Sequence, residues 1–128
     1  MGPVAVGVDI VEVVEVEDSI RNHAERYLER VYTAREIADS RLADGSTDAR
    51  RLAATFAAKE AALKALRATG AAIAPTDIEV TQRGSRLALR GAAASLAAAR
   101  GIAGLQLSSS VTDDYAAAIV VAQIETAQ

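Results

Sequence analysis

Apolar residues crowd both ends of this 128-residue chain and recur at helical spacing through its middle. Residues 4–16 read Val4-Ala5-Val6-Gly7-Val8-Asp9-Ile10-Val11-Glu12-Val13-Val14-Glu15-Val16. That density of β-branched side chains predicts a strand. Its first half is apolar on both faces, which predicts a central place in a sheet, with Asp9 inside the apolar run. Residues 19–31 read as a helix with Ser19 as a cap. Thr33 followed by Glu36 is a capping-box pattern and predicts a second, short helix, ended by Asp44-Gly45-Ser46. Thr47 or Asp48 caps a long helix running to about Arg67, stopped by Thr69-Gly70 before the loop at Pro75.

Two short strands, Asp77 to Thr81 and Arg86 to Arg90, flank the hairpin signal Arg83-Gly84-Ser85. Gly91 to Arg100 is an alanine-rich helix ended by Gly101. Leu105 to Ser110 and Tyr115 to Ile124 form a last strand pair around Thr112-Asp113-Asp114. Strand, three helices, two strands, helix, two strands is an α+β order. It predicts one small domain over residues 1–125, an antiparallel sheet packed with a long central helix and shorter helices. Residues 126–128 are left as a tail.

Composition adds a shortage of bulk. Alanine is abundant, with three Tyr, one Phe and no Trp. Small side chains let elements approach closely but bury little area each, so oligomerisation could supply the missing burial. There is no Cys, which removes disulfides and thiolate chemistry. No charged leader and no long apolar run is present, so the chain reads as soluble and cytoplasmic, with no membrane partner. The net charge of −3 disfavours nucleic acid. Arg21, Arg26 and Arg30, then Arg50 and Arg51, lie among Glu25, Glu29, Glu36 and Asp39. That pattern fits either a solvated helix face of mixed charge or a docking patch for an acidic partner.

The chemistry concentrates in Phe56-Ala57-Ala58-Lys59-Glu60-Ala61-Ala62-Leu63-Lys64-Ala65-Leu66. At 100° per residue Leu52, Phe56, Leu63 and Leu66 share one stripe, Lys59 interrupts it, and Glu60, Lys64 and Arg67 line its edge. Glu60 four residues before Lys64 is also the ordinary helix ion pair. Lys59 either snorkels or points into a cleft to meet phosphate. A carboxylate such as Asp9 in a buried strand needs a partner, a backbone N–H, hydration or a metal. With Glu60 it can make part of a Mg²⁺ site, since Mg²⁺ takes one or two carboxylates and fills its shell with water and phosphate oxygens. The lone His23 gives no transition-metal cluster and reads as a surface residue. Ser108-Ser109-Ser110 lacks the partners of a nucleophile. Thr69-Gly70 is either a phosphate-facing turn or a helix cap.

Gly7-Val8-Asp9-Ile10-Val11-Glu12, Phe56-Ala57-Ala58-Lys59-Glu60-Ala61 with Lys64-Ala65-Leu66, Asp77-Ile78-Glu79-Val80 and Tyr115-Ala116-Ala117-Ala118-Ile119-Val120-Val121 together resemble the holo-acyl-carrier-protein synthase family. These are small bacterial 4′-phosphopantetheinyl transferases, and the resemblance spans nearly the whole chain in order and spacing. It implies transfer of the phosphopantetheine arm of coenzyme A to a serine of an acyl carrier protein, releasing 3′,5′-ADP. It implies Asp9 and Glu60 as Mg²⁺ ligands and catalytic residues, with Lys64 on phosphate. Lys59, Arg67, Thr69 and Gly70 would complete the coenzyme A site. The serine proton would go to a metal-bound water or to Glu60. Arg30, with Arg26, matches the basic helix that grips the carrier protein, and the family implies a homotrimer with sites between subunits. Four features depart from it: Thr55 replaces an arginine, Leu63 a small hydroxyl residue, Arg67-Ala68-Thr69-Gly70 a Gly-Thr-Gly turn, and Val111 a histidine found in many members. These departures leave a second reading, a divergent member that binds carrier protein or coenzyme A without transferring, or acts on a carrier-bound substrate.

Overall fold

The computed structural model describes residues 2–69, 72–81 and 85–125. Gly70, most of the Arg83-Gly84-Ser85 turn and the tail at 126–128 therefore lie outside the described residues. The elements are β1 (Val4–Glu12), α1 (Val13–Val31), α2 (Ala34–Asp39), α3 (Ala49–Ala65), β2 (Ile78–Thr81), β3 (Arg86–Leu89), α4 (Gly91–Ala99), β4 (Ile102–Val111) and β5 (Tyr115–Ile124). A single 3₁₀ turn, Pro75–Asp77, precedes β2. The α+β order is as expected. Among the described residues no helix is long and apolar enough to cross a membrane.

The main sheet is antiparallel in the order β1-β5-β4, and β2 and β3 form a separate hairpin. β1 is thus an edge strand and not the central one its apolar run predicts. Val6, Val8 and Ile10 pair with Val121, Ile119 and Ala117 of β5. They face outward: Val4, Val6, Val8, Ile10, Tyr115 and Ile119 are all exposed. The inner face carries Ala5, Val11, Ala116, Ala118, Val120 and Ala122, all buried beneath α3.

Two boundaries differ from expectation. Val13 to Val16 are helical, not extended. Val13 and Val16 are both buried, a spacing of three that suits a helix, and Val13 N–H donates to Asp114 O at 2.9 Å. Tertiary contact here overrides β-branched propensity. Helix α1 therefore starts six residues before Ser19, and Glu12 occupies the cap position without a side-chain bond. The helix breaks once, at Ala24 (φ 43°, ψ −122°), in the middle of the exposed stretch 21–26. The capping box at Thr33 and Glu36 is present. Asp48 caps α3, accepting bonds from the N–H groups of Arg50 and Arg51. α3 ends at Ala65, and Arg67 turns left-handed at φ +53°.

α3 meets the sheet through its smallest residues. Ala53, Ala57, Ala58, Ala61, Ala62 and Ala65 are buried, and Gly7 of β1 sits against them. A Cβ added at Gly7 would press on the carbonyl oxygen of Ala61 and come within 2.7 Å of the Ala65 nitrogen. This close approach sets the distance between β1 and the chemistry-bearing edge of α3.

Candidate active site

Asp9 lies two residues beyond Gly7 on the same inner face of β1 and is only partly exposed. The strand's proximity to α3 brings it to Lys64, whose Nζ donates to Asp9 Oδ1 at 3.0 Å and to Val8 O at 2.9 Å. Among the described residues no ion pair joins Glu60 to Lys64, so the helix pair suggested by their spacing does not form. Glu60, one turn before Lys64, is half-buried. Burial first, and the nearby Asp9 carboxylate second, raise its pKa, while Lys64 pulls the other way. Two carboxylates close enough to feel one another's charge, with the Lys64 amine beside them, supply the oxygen ligands that a divalent ion takes.

Beside them opens a cavity of about 590 Å³ lined by Glu60, Leu63, Lys64, Arg67, Ala68, Thr69, Ile73 and Arg100. The expected residues Glu60, Lys64, Arg67 and Thr69 thus meet around one space, with Asp9 bonded at its edge. Arg100 carries no signal in the sequence because it sits at the end of a bland alanine-rich helix. A second cavity, about 400 Å³, is lined by Arg50, Arg51, Thr55, Ser109, Ser110 and Val111 among others. Two of the four departures from the family pattern, Thr55 and Val111, therefore share this second space, while Leu63 and the altered turn at Arg67-Ala68-Thr69 line the first.

Lys59 is not part of this cluster, and its expected role at phosphate is corrected. Its side chain is 1% exposed, and its Nζ pairs with Glu36 Oε1 at 2.7 Å. It also donates to the carbonyls of Pro75 and Ile78. Glu36 accepts in turn from Val80 N–H at 2.7 Å. Nearby Glu79 is held by Arg90 and the Thr33 hydroxyl. Burial pushes the Lys59 amine down and Glu36 pushes it back up. Lys59 therefore fastens α2 and the β2–β3 hairpin to α3, one residue away from Glu60. Lys59→Met is expected to cost about 3 kcal/mol, because it strands a buried carboxylate while Arg90 still faces the acids. Urea denaturation measures it; a loss below about 1 kcal/mol would contradict a structural role for this pair.

Arg26 and Arg30 lie on α1 after the break at Ala24, exposed, and line an open hollow with Glu29. Arg21, before the break, is held by Asp18 at 2.7 Å. His23 is exposed, as expected.

The chain is similar to known proteins in both sequence and fold. The holo-[acyl-carrier-protein] synthase of Chloroflexus aurantiacus is 42% identical over 130 residues, covering 91% of this chain and 95% of its own. The fold superposes on the ACPS–CoA complex of Chronobacterium ammoniagenes with a TM-score of 0.79 at 27% identity, covering 97% and 99% of the two chains. It also matches the Helicobacter pylori holo-[acyl-carrier-protein] synthase in complex with coenzyme A, with a TM-score of 0.76 at 25% identity over 92% and 99%. Residues 5–120 match the family model of these enzymes, and the chain belongs to the 4′-phosphopantetheinyl transferase superfamily.

Proposed function

We propose that this protein transfers the 4′-phosphopantetheine group of coenzyme A to a serine of an acyl carrier protein. The serine oxygen forms a bond to the phosphorus of the pantetheine phosphate. The bond from that phosphorus to the bridging diphosphate oxygen breaks, 3′,5′-ADP leaves with the bridging oxygen, and the serine proton is released. The observation that carries this reading is the convergence of Asp9, Glu60 and Lys64 at one cavity, in a chain of this family.

Phosphoryl transfer asks a protein chiefly to position groups and offset charge. Asp9 and Glu60 would hold Mg²⁺, which when bound polarises the phosphorus and neutralises the leaving group. Lys64 carries three donor hydrogens, of which Val8 O and Asp9 occupy two. The third is available to a phosphate oxygen, and the two internal bonds keep the amine from swinging away. Thr69 and Arg67 line the same cavity. Arg26 and Arg30 give an acidic carrier protein a basic segment to approach, which steers encounter more than it adds affinity.

The assembly belongs to the same reading: a homotrimer with sites at subunit interfaces. The outward apolar face of β1 and β5 supports it, since a contiguous patch of this kind marks an interaction surface. A cytoplasmic setting suits a chain without cysteine. The test is mass spectrometry of apo carrier protein incubated with coenzyme A and Mg²⁺. The carrier should gain one phosphopantetheine arm. Coenzyme A binding without any gain across several carriers would replace transfer with the divergent, binding-only reading.

A further inference from the structure

The end of α3 holds an arginine where the backbone favours glycine. Arg67 N–H donates to Lys64 O and Ala68 N–H to Leu63 O, each at 3.1 Å. These are the two bonds of a Schellman ending, whose turning residue must be left-handed. Arg67 is that residue, at φ +53°. Glycine adopts this conformation without penalty and an arginine does not. Stability alone would place glycine here.

The side chain kept at this strained point lines the cavity that also holds Glu60 and Lys64. Arg100 reaches the same cavity from a separate element, the C-cap of α4. Both arginines are exposed, and among the described residues neither takes part in an ion pair. Lys64, by contrast, already directs two of its three donor hydrogens to Val8 O and Asp9. The cavity thus presents two uncommitted guanidinium groups against one lining carboxylate. A guanidinium offers forked donors that match phosphate oxygens. A basic residue past a helix end can also merely offset the helix dipole, but Lys64 already supplies that charge in the last turn. Arg100 closes no turn of α3 at all.

We propose that Arg67 and Arg100 form a two-sided clamp on a phosphate group of the coenzyme A donor, with Arg100 a substrate-binding residue. The proposal rests on the transferase reading for the identity of its ligand. Coenzyme A offers two sources of the same chemistry, the diphosphate and the 3′-phosphate.

Titration calorimetry with Mg²⁺ present separates them and does not depend on turnover. Arg67→Gly and Arg100→Ala are each titrated with coenzyme A and with dephospho-coenzyme A, which lacks the 3′-phosphate. Each variant should bind coenzyme A about tenfold more weakly than the parent protein, the scale of one lost charge-assisted hydrogen bond. Arg67→Gly should at the same time melt no lower than the parent, a combination that a purely structural role for Arg67 does not produce. If the deficit disappears with dephospho-coenzyme A, the clamp grips the 3′-phosphate; if it persists, it grips the diphosphate. Unchanged affinity for coenzyme A in both variants overturns the proposal, as does a parent protein that does not bind coenzyme A. A parent that binds coenzyme A yet never modifies a carrier sinks the transferase reading and leaves the clamp standing.

Discussion

Gly7→Ala is expected to yield almost no folded protein. One methyl group at this position meets main chain, not side chain: the carbonyl oxygen of Ala61 and, at 2.7 Å, the nitrogen of Ala65. A crowded side chain can change rotamer, but a helix backbone cannot step aside without breaking its own bonds. Ordinary overpacking costs about 1–3 kcal/mol because neighbours repack. Here the only relief is to lift β1 from α3, which uncovers the alanine face and separates Asp9 from Lys64. The loss should exceed about 5 kcal/mol, comparable with the whole stability of a small domain. Circular dichroism and urea titration read it directly. A Gly7→Ala protein that melts with the parent would refute the close approach between strand and helix.

Glu60→Gln should abolish transfer while making the metal-free protein more stable. The amide keeps the shape of the side chain but cannot supply a negative charge to Mg²⁺. Losing the several kcal/mol of charge stabilisation that a bound metal provides lowers the rate by about a thousandfold or more. The stability effect has the opposite sign. Burial and Asp9 raise the Glu60 pKa in the folded protein. Between the unfolded and folded pKa values the native state binds more protons, so stability falls as pH rises through that window. Above it, ionised Glu60 opposes folding, and the glutamine removes that opposition. In chelator at neutral pH the variant should therefore melt above the parent, and added Mg²⁺ should raise the parent's midpoint only. A variant that keeps full activity would remove Glu60 from the metal site.

The sequence was most informative where local chemistry decides structure. The capping box at Thr33 and Glu36, the cap at Asp48 and the span of β5 all follow from short-range patterns, and all are present. It was misleading where tertiary contact decides. Val13, Val14 and Val16 have β-branched side chains but turn helical because one face of that turn is buried. β1 reads as central because both its faces are apolar, yet only one faces the core of the chain. The break at Ala24 has no local signal, since alanine is the best helix former. For the site, the i,i+4 spacing of Glu60 and Lys64 suggested that they partner each other, whereas Lys64 bonds a strand fifty-five positions away. Lys59 is unusual in sequence because it interrupts an apolar stripe, but its surroundings are not legible there. Its partner Glu36 looks in sequence like nothing beyond a helix cap, so a pattern could not show that the amine is buried against it. Arg100 was invisible for the reverse reason: an exposed arginine in an alanine helix carries no pattern until the fold brings it to the cavity.

The alanine face of α3 leaves sequence drift almost nowhere to go. At a core built from leucine or phenylalanine, chance substitutions mostly remove volume, and the damage is a void that neighbours partly fill. Gly7 has no smaller replacement. The six alanines can shrink only to glycine, which weakens the helix by about 1 kcal/mol. Every other change at the seam adds atoms and pushes the strand outward. The spacing between the two carboxylates is therefore guarded by a one-sided error: mistakes at this seam unfold the protein before they can retune its site.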